Sequence, residues 1–194
     1  MKAIPTKIGI AFGLGGLIVF LVMYSIAMSL DNEYTFFENY LSDLGVGPGA
    51  WAFNSGVIIA GAMVATFSVF GLARVIGEGR LEKTAIALLA LSGVLLMGVG
   101  VFTEDYDPHH YIFSVSYFLT FLVTLVVFSI SLYKTRALGR IGFLVSACAC
   151  FVGALLLPMG GNPQSETLAV LAMVVWGLLM VFAALLKESG RPIP

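Results

Sequence analysis

The chain has 194 residues, 59% of them apolar and 11% charged, with a formal net charge of −1. A soluble domain rarely exceeds about 50% apolar residues, so the ordinary soluble classes are excluded. The ten Lys and Arg fall in four separate segments, which excludes the continuous basic stripe that nucleic acid needs.

Apolar runs of about 20 residues, long enough to cross a bilayer, occur at 8–30, 51–73, 84–102, 111–133, 138–158 and 166–186. They predict an all-α, six-helix transmembrane bundle that fills residues 1–194 as a single integral membrane domain. The first run follows Lys2 and Lys7 and is longer than the roughly 7–15 residues of a signal-peptide core. No A-x-A-like site follows it cleanly, so it is expected to stay as the first helix. It carries Gly9 and Gly13 four residues apart, with Gly15 and Gly16 nearby. Small-residue stripes of this kind let helix backbones approach closely in lipid.

The connection to the second span has a pattern of its own. On a helical wheel, Tyr34, Phe36, Phe37, Tyr40, Leu41 and Leu44 fill one arc of roughly 160°. Thr35, Glu38, Asn39, Ser42 and Asp43 fill the other. Residues 34–44 are therefore predicted to form a short amphipathic helix lying at the outer interface. Asp31 or Asn32 would cap its start and Gly45 its end. Gly47-Pro48-Gly49 then turns the chain into the second span. The polar arc is explained either by solvation or by a roof over a cavity, with Asn39, Ser42 and Asp43 turned inward. Asn54, one turn into the second span, supports the roof, because an amide at that depth needs a partner.

Between the third and fourth spans runs Glu104-Asp105-Tyr106-Asp107-Pro108-His109-His110. Asp107 and Pro108 read as the N-cap and first residue of the fourth helix. Both histidines of the chain then lie in its first turn, where the helix dipole disfavours positive charge. His110 and Ser114 share a face that continues to Tyr117. The acids and histidines offer metal-ligating atoms, with His110, Asp105 and Asp43 as the set, but the spacing is not that of H-E-x-x-H. A wetted acidic helix start with rim histidines explains the same residues, and better for His109 than for His110. Further on, the fourth span has Ser116, Thr120 and Thr124 at four-residue spacing, a second packing stripe. Cys148 and Cys150 in the fifth span are two apart, so they point to different sides of a helix. They read as small apolar core residues. The last outer connection, Pro158 to Glu166, is a Gly/Pro turn in which Asn162 and Gln164 reach the same outer region.

The charges orient the bundle. All ten bases lie in the two termini, the second-to-third connection and the fourth-to-fifth connection. The other three connections hold eight of the eleven acids: Asp31, Glu33, Glu38, Asp43, Glu104, Asp105, Asp107 and Glu166. Cytoplasmic loops collect Lys and Arg, so both termini are expected in the cytoplasm and the acidic connections outside the cell membrane. The span cores, from about Val57 to the inner ends, hold no Asp, Glu, Lys, Arg or His at mid-membrane depth. Ion pathways usually place such groups there, which ranks a transporter last.

Two segments carry a resemblance: Asn39-Tyr40-Leu41-Ser42-Asp43-Leu44-Gly45 with Trp51-Ala52-Phe53-Asn54-Ser55-Gly56, and Gly100-Val101-Phe102-Thr103-Glu104-Asp105 with His110-Tyr111 and Ser114. They resemble the signatures of an uncharacterised prokaryotic family of six-span membrane proteins, domain of unknown function 998. The Ser42-Asp43-Leu44-Gly45 element is more distantly similar to the Frag1/DRAM/Sfk1 group. The resemblance implies six helices in a prokaryotic membrane and no activity, so Ser42, Asp43, Asn54, Glu104 and His110 carry over as motif positions only.

Two functions of different class remain. One is a protein that binds a lipid headgroup, small molecule or partner in an outer pocket formed by Asn39, Ser42, Asp43, Asn54, Glu104, Asp105, His110 and Ser114. The other is an outward-facing hydrolase or transferase acting on lipid, metal-dependent or not. There His110 is the base or a metal ligand, Asp43 and Glu104 or Asp105 its orienting or metal partners, and Ser42 or Ser114 a polar contact or nucleophile. The sequence favours the first, because no recognised catalytic motif is present. Membrane lipids are the expected partners. No cofactor, substrate or oligomeric state is encoded legibly.

Overall fold

A computed structural model describes residues 5–156 and 161–193. Lys2 and the turn residues Pro158, Met159 and Gly160 lie outside the described residues. Six helices are long and apolar enough to cross a membrane. They are α1 (Thr6–Leu30), α2 (Ala50–Ile76), α3 (Arg80–Val101), α4 (His109–Thr135), α5 (Gly139–Leu156) and α6 (Pro163–Glu188). The described residues contain no strand. This is a multi-pass integral membrane protein. In lipid a helix satisfies every backbone N–H and C=O internally, and these runs are long enough to do so.

Each helix packs on its successor, and α6 returns to α1. The result is a closed ring of six. Contacts between its members depend on glycine. At the crossing of α2 and α3, a Cβ on Gly61 would sit 2.5 Å from the Gly93 carbonyl oxygen, and a Cβ on Gly93 2.5 Å from that of Gly61. A Cβ on Gly9 would overlap the backbone of Phe70 and Gly71. There α2 widens into a π-helical segment, Phe67–Leu72, a rare local expansion of an α-helix. Helix ends follow known chemistry. Arg136 takes a left-handed conformation after α4 and Gly77 a positive φ after α2. Asn162 caps α6 by accepting from the Ser165 N–H at 2.8 Å, with Pro163 next in line.

The buried core falls into two clusters. The larger gathers Phe67, Leu89, Phe121, Phe128, Trp176 and Met180. Trp176 meets Phe121 and Phe128 edge-on, and its indole N–H donates to Ser146 Oγ at 3.0 Å. The smaller cluster, near the acidic connections, holds Ala27, Leu41, Leu44, Phe53 and Val57. Exposed apolar side chains cover the outside of the ring, among them Ile18, Val94, Val123, Phe151 and Phe182, as a lipid-facing surface requires.

Three expectations are corrected. Residues 34–44 do not form one helix. Phe37 adopts φ 74°, Asn39 Oδ1 accepts from the Thr35 N–H at 2.9 Å, and the chain becomes regular only as a 3₁₀ turn at Leu41–Gly45. Asn and Asp side chains that bond nearby backbone compete with helix formation, and here they win. Helix α4 begins at His109 with Pro108 at its cap, after a cis Asp107–Pro108 bond, so Asp107 lies one residue outside the expected cap. Cys148 is exposed on the outer face of α5 and only Cys150 is partly buried, because a thiol is apolar enough to face lipid as well as core.

Candidate functional site

The 3₁₀ turn is pinned at both ends of its short length. Leu41 and Leu44 insert into the smaller core cluster. Asp43 Oδ2 accepts from the Tyr40 N–H at 2.9 Å. Asn54, one turn into α2, donates from Nδ2 to the Gly45 carbonyl at 2.8 Å. These anchors turn Ser42 inward, where it is 9% exposed. The first turn of α6 joins from the side. Glu166 Oε2 accepts from the Leu41 N–H at 2.9 Å, and the Tyr40 hydroxyl donates to the Gly161 carbonyl.

A second short turn, Glu104–Tyr106, places Glu104 beside Ser42 and Asp43. Burial pushes the Glu104 pKa up. A hydrogen bond with the Ser42 side chain lowers it, the Asp43 charge raises it, the His110 charge lowers it, and a carboxyl–carboxyl bond with Asp43 raises it again. The net direction is upward, toward the neutral acid. Glu166 lies within electrostatic reach of both Glu104 and Asp43.

His110 is held in one orientation. Its Nδ1 is 2.7 Å from the Phe102 carbonyl oxygen, and its Nε2 is 3.2 Å from Ser114 Oγ. A carbonyl oxygen only accepts, so Nδ1 carries the hydrogen. In the neutral ring Nε2 then accepts from the Ser114 hydroxyl. His109 instead is exposed and stacks on Phe102.

Two cavities meet at these residues. A half-open groove of about 570 Å³ runs between α4, α5 and α6. Its head carries Tyr40, Ser42, Glu104, Asp107, His110, Ser114 and Glu166. Its body is apolar, with Leu119, Leu122, Leu125, Ala149, Gly153 and Ala172. A smaller cavity of about 130 Å³ lies inside the ring between α1, α2, α3, α4 and α6. The two share Ser42, Ser114, Phe118, Phe121, Glu166 and Met173. Among the described residues, no Lys or Arg lines either one.

The residues expected to form one site divide into two groups. Ser42, Glu104, His110 and Ser114 come together at the head of the groove. Asp43 bonds Glu104 and lines neither cavity. Asn39 and Asn54 serve the backbone of the loop and of the 3₁₀ turn. Asp105 is exposed and lines neither cavity. The set His110, Asp105 and Asp43 is therefore not assembled, and among the described residues no three His, Cys, Asp or Glu could hold a metal ion. Glu166, Tyr40 and Asp107 are additions. An acid in the first turn of a helix is already favoured by the dipole, so the sequence places Glu166 among the outer acids but outside the expected site, and the groove lining corrects this. The signal was its face: Glu166, Val170, Met173 and Gly177 follow helical spacing and all border the inner cavity.

A family model, described as a protein of unknown function (DUF998), matches residues 14–141. That is well over half of the chain, and the chain belongs to this family. The matched region contains Ser42, Glu104, His110 and Ser114 but stops short of Glu166. No curated protein and no solved structure matches the chain.

Proposed function

We propose that this member of the DUF998 family binds a membrane amphiphile in the groove between α4, α5 and α6. The hydrocarbon part lies along the apolar body, and a headgroup bearing an ammonium or similar cation lies at Glu104 and Glu166. The base-bearing end of the bundle faces the cytoplasm and the acidic head of the groove faces out of the cell membrane, following the rule that cytoplasmic loops collect bases.

The observation that carries this reading is the coupling of an acidic head to an apolar body, with no base among the described residues lining either. Partly buried carboxylates cost several kcal/mol unless paired. Ionised together, Glu104, Glu166 and nearby Asp43 repel one another. A cationic headgroup relieves that repulsion, while an anionic one adds to it. Lipid is the ligand class that combines such a head with a tail at this depth.

The test uses one-chain phosphoethanolamine and phosphoglycerol lipids of equal chain length, added to protein in neutral detergent. Binding is read by native mass spectrometry. The ethanolamine lipid should bind at least tenfold more tightly, and Glu166→Gln should erase most of that preference. Equal binding, or preference for the anionic lipid, would contradict the reading.

The geometry of His110 favours a second reading, hydrolysis or acyl transfer on a lipid ester. A serine hydroxyl, a histidine Nε2 and a carbonyl that fixes the ring form a nucleophile, a base and its orienting group. It ranks second because the acids beside Ser114 oppose the negative charge that grows on an attacked carbonyl oxygen. A fluorophosphonate probe decides between them. The binding reading predicts no adduct on Ser114, and lipid binding that survives Ser114→Ala. A Ser114 adduct lost in His110→Ala would establish the dyad instead.

A further inference from the structure

We propose that the head of the groove selects a primary ammonium group over a trimethylated one, and that Glu104 and Glu166 set the selection. This rests on the reading that the groove holds an amphiphile by a cationic head. It adds which cation: one that carries N–H hydrogens.

The side-chain hydrogens at the head are already used within the protein. The Tyr40 hydroxyl donates to the Gly161 carbonyl, and the Ser165 hydroxyl donates to the Asn162 carbonyl at 2.9 Å. The Ser114 hydroxyl donates to Nε2 of neutral His110, whose Nδ1–H is directed at the Phe102 carbonyl. The Ser42 hydroxyl bonds the Glu104 carboxyl. An ionised carboxylate only accepts, so Ser42 donates there. Among the described residues on the groove wall, the exception is Tyr111, which is 66% exposed.

What remains is acceptor capacity. A hydroxyl that donates keeps its lone pairs. Glu166 Oε2 takes the Leu41 N–H, and its Oε1 has no bond among the described residues. Asp107 adds an exposed carboxylate to the same wall. A group that enters must therefore bring donors of its own. A primary ammonium brings three N–H and no acceptor. A trimethylammonium brings the charge without any N–H, and proteins hold it on the faces of clustered aromatic rings. The head has the rings of Tyr40 and Tyr111 against the carboxylates of Glu104, Asp107 and Glu166. Phe118 and Phe121 lie two or more turns down α4 from His110. A site built on hydrogen bonds rejects the analogue that lacks the hydrogen, because its own polar groups are then left unpaired. That cost falls on Glu104 and Glu166, which are partly buried, while Asp107 keeps its water.

The test titrates one-chain phosphoethanolamine, its N-methyl and N,N-dimethyl forms, and phosphocholine, all of equal chain length, into the protein in neutral detergent. Binding is read by native mass spectrometry. Phosphoethanolamine should bind about tenfold more tightly than phosphocholine, the worth of one hydrogen bond to a charged group, with the two intermediates in order between them. Glu166→Gln keeps the size of the side chain and turns one acceptor oxygen into an N–H donor. The ratio of the two affinities should therefore fall several-fold, and Glu104→Gln should lower it too. A ratio that both variants leave unchanged would show selection by size and overturn the proposal. Equal or tighter binding of phosphocholine, with both cationic lipids still ahead of phosphoglycerol, also overturns it and leaves the cationic reading standing. If phosphoethanolamine binds no more tightly than phosphoglycerol, the groove reading itself fails.

Discussion

Glu104 is the residue on which the electrostatics of the site turn. Its carboxyl is partly buried beside Asp43, and burial raises its pKa above the ordinary 4.5. A carboxyl raised in the folded state binds its proton more tightly there than in the unfolded chain. Its contribution to stability is therefore complete below 4.5 and is lost as pH rises through the folded value. Ligand-free protein should unfold at lower temperature as pH rises above 4.5. Glu104→Gln should flatten that dependence and make the protein more stable at neutral pH. A cationic amphiphile should restore stability to the wild type at neutral pH and do little for the variant. Thermal unfolding in neutral detergent across this range checks both statements, and a wild type whose stability rises with pH would count against them.

At the level of elements, the sequence was most legible where lipid leaves the chain no alternative. An apolar run of about 20 residues in a membrane must be a helix, and all six helices lie where hydropathy places them, within a few residues. The packing role of Gly9 was legible for the same reason, since close approach needs a missing Cβ. The loop from 31 to 49 was not. Its apolar residues do follow a 3.6-residue period, yet periodicity reports only what a helix would bury. It does not report the bond from Thr35 N–H to Asn39 Oδ1 or the positive φ at Phe37. The π segment of α2 left no trace in composition either. Within the site, Ser42, Glu104, His110 and Ser114 were legible as polar residues at helix ends in an apolar chain. Asn39 and Asn54 looked alike from sequence, but they bond backbone. Glu166 belonged to the groove because α6 closes the ring against α1 and the 3₁₀ turn, a tertiary fact that no local pattern carries.

The whole molecule is a ring of helices with bases at one end and acids, with the site, at the other. The base distribution predicts the cytoplasmic side. In a background carrying Cys148→Ala and Cys150→Ala, cells expressing Asn32→Cys should react with an impermeant maleimide, and Glu78→Cys should react only after lysis. The opposite sidedness would place the groove head in the cytoplasm. The central claim is that the groove between α4, α5 and α6 holds a lipid by its cationic head. The most direct measurement is a structure determined in nanodiscs containing both ethanolamine and glycerol phospholipids. The account predicts chain density along Leu122, Leu125 and Gly153, with the ammonium within hydrogen-bonding reach of Glu104 or Glu166. A groove with no lipid density, or one filled by a lipid whose head lies away from both carboxylates, would contradict it.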